Sequence, residues 1–110
     1  MNILYDNKKV EKIITNTSTW HKYLSFNNQK KLKKILDRLQ AAVNWKEYQC
    51  LGIGKPHELK GNFKDCFGIS LNSNLRLIVS LVGNKNEECK EIIIEGVVDY
   101  HDKTNNWIIP

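Results

Sequence analysis

Hydrophobic positions near the start of the chain change from a short apolar run to helical spacing. Residues 2–5 are mostly apolar and predict a short strand. From Asp6 onward, apolar residues stand three and four positions apart, which predicts a helix. The residues that define its apolar face are Val10, Ile13 and Ile14. The polar residues 15–19 that follow predict a loop.

The clearest pattern in the sequence is a long amphipathic helix that begins near Asn27 or Asn28. Either asparagine, or Ser25, is a suitable N-cap because its side chain accepts a backbone N–H. The apolar face consists of Leu32, Ile35, Leu36, Leu39 and Val43. The basic residues on the rest of its surface are Lys30, Lys31, Lys33, Lys34 and Arg38. We expect this helix to weaken near Asn44 and to end before Gly52.

The second half of the chain predicts strands joined by short turns. Apolar and β-branched residues dominate residues 66–71, 75–82 and 91–98. Turn-forming residues separate these segments at 72–74 and 83–86. Because short turns join consecutive strands, we expect an antiparallel meander. The predicted fold class is therefore α+β in two layers, with N-terminal helices packed on a C-terminal antiparallel sheet.

Length and charge narrow the classes of function. The chain has 110 residues, so residues 1–110 are predicted to form one domain. A net charge of +5 favours an anionic partner, most commonly nucleic acid, although solubility alone explains it equally well. Six basic residues and one acidic residue lie between Lys22 and Arg38, which concentrates positive charge in the N-terminal half. The sequence predicts neither a membrane span nor a secretory signal, so no membrane partner is expected.

The cysteine and histidine content predicts neither a metal nor a cofactor. Cys50, Cys66 and Cys89 include no CxxC pair, and no two histidines stand at the spacing of metal ligands. Without a secretory signal, the cysteines are expected to be free thiols. Buried packing is the expected role of all three.

A set of polar residues in the strand-rich half has the chemistry that RNA cleavage requires. Two of them precede the meander, one lies inside an apolar strand, and three end the last strand. They are His57, Lys60, Arg76, Asp99, Tyr100 and His101. Cleavage needs a base for the 2′-OH, an acid for the leaving 5′-oxygen and positive charge at the phosphate, which histidine, lysine and arginine supply. Taken singly, each histidine and Arg76 is explained better by an ordinary surface position.

Four runs of the sequence resemble the RelE/ParE toxin superfamily, and specifically its HigB branch. They occur in the order and spacing of that branch, at residues 37–41 (DRLQA), 57–61 (HELKG), 74–77 (NLRL) and 98–101 (VDYH). The resemblance covers roughly residues 28–101 and implies a toxin of a bacterial type II toxin–antitoxin pair. Such a toxin is a ribosome-dependent endoribonuclease that cuts mRNA in the ribosomal A site. It acts in the cytoplasm and is neutralised by a cognate antitoxin protein.

The resemblance also implies roles for individual residues. The active-site positions of the family match His57, Lys60, Arg76, Asp99, Tyr100 and His101. The last histidine is the favoured general base or acid, the basic residues hold the scissile phosphate, and Asp99 and Tyr100 orient the base and the substrate. The five basic residues of the long helix are expected to bind ribosomal RNA, unless they form an ordinary solvated face. Because the sequence has no metal-ligand cluster, we expect the 2′-OH of the substrate to be the nucleophile.

The sequence departs from the family pattern at Leu75, where the family usually has tryptophan, and continues beyond it with residues 102–110. This last segment includes Trp107 and two isoleucines, so we expect it to pack against the domain or the antitoxin. Two other functions stay open. One is a non-enzymatic inhibitor of DNA gyrase, as in ParE-like relatives, and the other is a degenerate toxin that acts only as a binding partner. The retained residues 99–101 argue against the first.

Overall fold

The computed structural model describes residues 1–83, 88–100 and 106–110, which form helices packed on one face of a sheet. The helices are α1 (Lys8–Ile14), α2 (Phe26–Ala41) and α3 (Trp45–Leu51), with short 3₁₀ helices at Thr17–Lys22 and Gly61–Phe63. The strands are β1 (Asn2–Tyr5), β2 (His57–Glu58), β3 (Cys66–Ser70), β4 (Leu75–Leu81), β5 (Glu91–Asp99) and β6 (Asn106–Ile109). This arrangement confirms the predicted α+β class. Among the described residues, no helix has both the length and the apolar character needed to cross a membrane.

The sheet is mixed, which corrects the prediction of a wholly antiparallel sheet. Its strands lie in the order β1-β5-β4-β3-β2, and β6 also pairs with β5. The strands β3 to β5 form the predicted antiparallel meander. The short strand β2, which the sequence did not predict, pairs antiparallel with β3, and β1 runs parallel to β5. β1 and β6 share one edge of β5, because β1 pairs with residues 91–94 and β6 with residues 97–99. The helices between β1 and the meander supply the long crossover that a parallel pair requires.

The long helix α2 follows the sequence pattern at its start and departs from it at its end. Ser25 is the N-cap, and its hydroxyl accepts a backbone N–H of the first turn. The predicted apolar face is formed by Leu32, Ile35 and Leu39, which are buried, and Leu36, which is half-buried. The chain turns extended at Ala42, and Asn44 then caps the separate helix α3 by accepting the Glu47 N–H. Val43 lies between the two helices and is 61% exposed, so its predicted place in the core is wrong.

The segment predicted as a loop over residues 15–19 instead leads into the first 3₁₀ helix. Trp20, in the middle of that helix, is buried, and its indole N–H donates to the Ile13 carbonyl oxygen at 3.0 Å. This bond attaches the segment to the end of α1. A 3₁₀ helix of this length leaves no extended periodic pattern in the sequence, which is why the polar residues alone suggested a loop.

The cysteines are less buried than the sequence suggested. Cys50 is exposed, while Cys66 and Cys89 are half-buried. On α3, the buried residues are Trp45 and Tyr48, and Cys50 lies on the outer side of the helix. The predicted packing role is therefore wrong for Cys50.

Residues 106–110 lie against the sheet, as the apolar character of the C-terminal segment predicted. Ile109 is fully buried, and Trp107 lies beside β5. Their approach depends on Gly96, which has a φ of +144° and leaves room for the Ile109 carbonyl and the Trp107 ring where a side chain would stand. The rest of the predicted segment, residues 102–105, lies outside the described residues.

The two faces of the sheet carry apolar clusters of different size. On the helix-facing side, strand residues such as Ile69, Leu77 and Ile94 belong to the main core with the buried residues of the helices. On the opposite side, which we call the open face, a smaller cluster is formed by Phe63, Ile78 and Val98, with Leu59, Cys66 and Tyr100 packed against it. Arg76, Tyr100 and His57, described next, lie on the open face.

Candidate functional site

The small cluster gives the open face an apolar, aromatic floor. The ring of Phe63 meets the ring of Tyr100 edge-on, with the two centroids 5.9 Å apart. It meets the ring of Trp107 in the same way at 5.5 Å. Such edge-to-face contacts stabilise the arrangement beyond simple burial. The second 3₁₀ helix, the end of β5 and β6 are thereby joined on this face.

Arg76 lies on the open face beside this floor. It stands opposite Ser70 on β3 and Val98 on β5, and paired residues of adjacent strands share a face. Its Nη1 donates hydrogen bonds to the carbonyl oxygens of Asn72 at 2.7 Å and Leu75 at 3.1 Å. Both bonds use one nitrogen, and among the described residues no hydrogen bond from Nη2 or Nε is found, so these donors can bind a ligand such as a phosphate.

The Arg76 guanidinium lies over the ring of Tyr100. The Cζ of Arg76 is 5.9 Å from the centroid of the Tyr100 ring, and the Tyr100 backbone N–H donates to the Asn74 carbonyl oxygen at 2.8 Å. Burial raises the pKa of Tyr100, the Arg76 charge lowers it in part, and Cys66 raises it further. The phenol therefore stays protonated at neutral pH and is a hydrogen-bond donor.

His57 lies on the same face at the outer strand of the sheet. It pairs with Gly68, which in turn pairs with Ile78 of the apolar floor. Its Nδ1 is 2.9 Å from the Lys55 carbonyl oxygen, which can only accept a hydrogen bond. Nδ1 therefore carries the proton, and in the neutral ring Nε2 is left as a proton acceptor. This is the arrangement that a general base needs.

The structure describes two of the remaining predicted site residues, Lys60 and Asp99. Lys60 is exposed and directly precedes the second 3₁₀ helix, next to Leu59 of the open-face cluster. Asp99 pairs with Leu75, whose side chain packs on the helix-facing core, so the strand register puts Asp99 on the other face from Arg76. His101 lies outside the described residues. Within those residues, no three His, Cys, Asp or Glu side chains are grouped so as to hold a metal ion.

The five basic residues predicted on α2 divide between two surfaces. Four of them stand at helical spacing from Phe26 and line a groove of about 820 Å³. They are Lys30, Lys33, Lys34 and Arg38. Phe26 also lines this groove and is 64% exposed. Within this groove, Lys33 pairs with Asp37 at 2.9 Å, and the Lys30 Nζ lies 5.4 Å from the Phe26 ring centroid. Lys31 points to a different side and lines a separate cleft.

This second cleft, of about 460 Å³, contains residues that the sequence did not single out. It lies between α2, the turn at residues 52–55 and the loop at residues 71–74, and its cations are Lys31, Lys55 and Arg76. Lys55 was missed because it stands in a turn with no periodic pattern. The available signal was the sequence Gly-Lys-Pro directly before His57, since glycine and proline together indicate a tight turn that fixes its neighbours.

Comparison with known proteins identifies the family. No family model matches the sequence. The toxin YoeB of Synechocystis is 37% identical over 71 residues, which are 64% of this chain and 80% of that protein. The chain belongs to the RelE/ParE toxin superfamily. The predicted superfamily is therefore confirmed, whereas membership of its HigB branch stays a prediction.

Solved structures share the fold of this RelE/ParE toxin at low sequence identity. The YoeB–YefM complex from Staphylococcus aureus matches with a TM-score of 0.55 and 20% identity, over 93% of this chain and 98% of that chain. A YoeB/ParE toxin from Agrobacterium tumefaciens matches with a TM-score of 0.57 and 13% identity, over 93% and 100% of the two chains. A YafQ mutant from E. coli matches with a TM-score of 0.50 and 17% identity, over 91% and 92%. The helices and the sheet are thus those of a known toxin fold.

The departure at Leu75 affects the core of the toxin more than its open face. Leu75 packs against the helix-facing cluster, on the opposite side of β4 from Arg76. Leucine at this position therefore contributes to the packing beneath the sheet. Arg76 keeps its place on the open face.

Proposed function

We propose that this toxin is the endoribonuclease of a type II toxin–antitoxin pair and that it cuts mRNA in the ribosomal A site. One observation carries the proposal: Arg76 and Tyr100 stand side by side on an open sheet face that also holds His57. A cation, a protonated phenol and a histidine with a fixed tautomer are the groups that cleavage of a phosphodiester requires.

The proposed reaction is attack by the 2′-oxygen on the adjacent phosphorus without a metal. A bond forms between the 2′-oxygen and phosphorus, and the bond from phosphorus to the 5′-oxygen breaks. A histidine accepts the 2′-OH proton, and an acid returns a proton to the leaving 5′-oxygen. The products are a 2′,3′-cyclic phosphate and a 5′-OH.

The residues take complementary parts in this reaction. Arg76 stabilises the charge that develops on the phosphorane, because it is already held in place by the Asn72 and Leu75 carbonyl groups. His101 and His57 are the proposed pair for proton transfer, with Lys60 as a substitute donor or phosphate clamp. Tyr100 donates a hydrogen bond to the substrate.

Two protein surfaces connect this chemistry to partners. The exposed groove of α2, with its lysines and Phe26, is proposed to lie on ribosomal RNA. A cognate antitoxin is proposed because the YoeB of Staphylococcus aureus occurs in a complex with YefM. Ribosomes and mRNA are cytoplasmic in bacteria, so the proposed reaction takes place there.

Induced expression with mapping of RNA 5′ ends tests the proposal. We expect growth arrest and new 5′ ends within coding sequences for the wild type and for Lys12→Ala, an exposed residue of α1. Arg76→Ala should give neither, while circular dichroism shows the same fold. Growth arrest with intact mRNA and inhibited DNA gyrase would instead support a non-enzymatic inhibitor.

A further inference from the structure

We propose that the cleft between α2 and the two loops binds a phosphate of the RNA chain next to the scissile one. This inference rests on the proposed function and adds a subsite to it. The cleft is the one lined by Lys31, Lys55 and Arg76, with a volume of about 460 Å³. The phosphate it takes is part of the RNA backbone, so the subsite contributes affinity and register without reading the base sequence.

The charge of the cleft suits a phosphate. Three separate elements each supply one cation: α2 supplies Lys31, the 52–55 turn supplies Lys55, and β4 supplies Arg76. The described residues that line the cleft include no Asp or Glu, and its other polar side chains are those of Ser70, Asn72 and Ser73. On α2, the ion pair to Asp37 is made by Lys33, on a different side of the helix from Lys31. The cleft therefore presents uncompensated positive charge from its described lining.

One wall of the cleft is held by Asn72. Its Oδ1 accepts the backbone N–H groups of Asn74 at 2.7 Å and Leu75 at 2.8 Å. Its Nδ2 donates to the Asn28 Oδ1 at 3.1 Å, which attaches the loop to α2. Its carbonyl oxygen accepts from the Arg76 guanidinium. A single residue thus organises the loop, the helix contact and the arginine.

Another part of the lining is a strained turn fixed to the sheet. The Ser70 N–H donates to the Gly54 carbonyl oxygen at 2.7 Å, and the Lys55 N–H donates to the Gly52 carbonyl oxygen at 3.1 Å. Lys55 has a φ of +47°, a left-handed conformation that costs energy for a residue with a side chain. Strain of this kind persists where the surrounding structure imposes it, and here the strained residue is a lysine in the lining of the cleft.

The cleft is continuous with the candidate active site. Arg76 lines the cleft and also approaches the Tyr100 ring on the open face. The turn that carries Lys55 also holds His57, through the hydrogen bond between the His57 Nδ1 and the Lys55 carbonyl oxygen. An RNA strand that passes Arg76 therefore places one phosphate at the histidine side and the next phosphate in the cleft.

The test measures how strongly a short 2′-O-methyl RNA binds the full toxin as salt concentration rises. This probe has the charge of RNA and cannot be cleaved by 2′-OH attack. Fluorescence anisotropy is recorded for the wild type, Lys31→Gln, Lys55→Gln and the double variant. Lys9→Gln, at an exposed position of α1, removes the same charge away from the cleft and is the matched control.

We expect each cleft variant to bind about fivefold more weakly at low salt. The slope of log affinity against log salt should fall by about 0.7 for each phosphate that the toxin no longer neutralises, and Lys9→Gln should match the wild type. The proposal is overturned if the salt slopes of both cleft variants equal the salt slope of Lys9→Gln. It is also overturned if the wild type binds the RNA no more tightly than the double variant does. Cleavage of ribosome-bound mRNA by the wild type is assayed in parallel. If the wild type does not cleave this mRNA, the proposed function itself is contradicted. If it cleaves the mRNA but the cleft variants keep the wild-type salt slope, only the subsite is contradicted.

Discussion

At the residue scale, the open face combines a fixed cation with a protonated phenol. The Asn72 and Leu75 carbonyl groups hold the Arg76 guanidinium from one side, and the Tyr100 ring lies on another side of it. Burial keeps the pKa of Tyr100 above its ordinary range, so its hydroxyl is a donor at neutral pH. A hydrogen-bond donor next to a cation that is already fixed in place is suited to binding a phosphate. Neither group has to move when negative charge develops on the phosphate during the reaction.

The hydroxyl of Tyr100 is tested by Tyr100→Phe. This change keeps the ring that contacts Phe63 and Arg76 and removes the donor alone. We expect the rate of mRNA cleavage to fall about 10²-fold, as for the loss of one preorganised hydrogen-bond donor. The thermal midpoint, measured by circular dichroism, should change little. A cleavage rate within a factor of about two of the wild type would show that the hydroxyl takes no part.

At the element scale, the helices and the meander follow from local patterns, whereas pairings between distant elements do not. The spacing of Leu32, Ile35 and Leu39 fixes the buried side of α2, because a helix repeats every 3.6 residues. The parallel partner of β1 has no such local signal, since strand periodicity does not name a partner. The end of α2 was signalled by Asn44 with Glu47 three residues later, a pattern typical of a helix start.

Part of the candidate site could be predicted from the sequence, because it too depends on a local pattern, the alternation of residues along a strand. The placement of Arg76 on the face of Val98 follows from strand alternation, once the strands are paired. His57 lies on a two-residue strand that the sequence did not predict, so its place on that face could not be predicted in this way. The cleft that includes Lys55 depends on a turn with a left-handed residue, and on a loop joined to α2 by a side-chain hydrogen bond. Interactions of this kind leave no repeating pattern in the chain.

The attachment of β6 is tested by Gly96→Ala. An added methyl group meets the Ile109 carbonyl and the Trp107 ring, and the φ of +144° is unfavourable for alanine. We expect the free energy of unfolding to fall by about 3 kcal/mol, from strain and overpacking together. Gly83→Ala is the control, because its φ is +80° and the added methyl group meets no atom of the described chain within 4 Å. Gly83→Ala should lower the free energy of unfolding by about 1 kcal/mol. If urea unfolding gives the same loss for Gly83→Ala and Gly96→Ala, the packing of β6 against Gly96 is contradicted.

The packing of α3 predicts how stability responds to alkaline pH. Tyr48 is fully buried and donates to the Ile53 carbonyl oxygen at 3.0 Å, and burial raises its pKa far above the ordinary value of about 10. Because the folded state holds this proton more tightly than the unfolded state, the protonated phenol of Tyr48 adds to the free energy of unfolding. This contribution is fully present below about pH 10 and is lost as pH rises further.

Urea unfolding across alkaline pH measures this effect. The wild type should lose stability above about pH 10, and Tyr48→Phe should make that loss smaller. The variant should also lose about 1 kcal/mol at neutral pH, because the Ile53 carbonyl loses its donor. Tyr23→Phe, at an exposed position, should reproduce the wild-type pH profile. A Tyr48→Phe profile identical to the wild-type profile would contradict this assignment.

At the scale of the whole molecule, two surfaces each combine several basic residues. The groove along α2 combines Lys30, Lys34 and Arg38 with the exposed ring of Phe26. The cleft with Lys31 and Lys55 adjoins the open face. In the proposed complex, the groove contacts ribosomal RNA while the open face and the cleft hold the mRNA. The two surfaces then serve different steps, recruitment and cleavage.

The role of the groove is tested by replacing Lys30, Lys34 and Arg38 together with glutamine. We expect weaker binding to ribosomes, with a salt slope reduced by about 0.7–0.9 for each phosphate that the helix no longer neutralises. Lys8, Lys9 and Lys12 on α1, replaced in the same way, are the charge-matched control. A salt slope for the groove variant that equals that of the control, in ribosome sedimentation, would mean that the groove is an ordinary solvated face.

The most direct test of the central claim is the chemistry of the RNA ends that the purified toxin leaves on mRNA bound to ribosomes. We predict a 2′,3′-cyclic phosphate on one fragment and a 5′-OH on the other. We also predict that Arg76→Ala lowers their formation by about 10²–10³-fold. Fragments that carry 5′-phosphate ends, or mRNA that the wild-type toxin leaves intact, would contradict the claim.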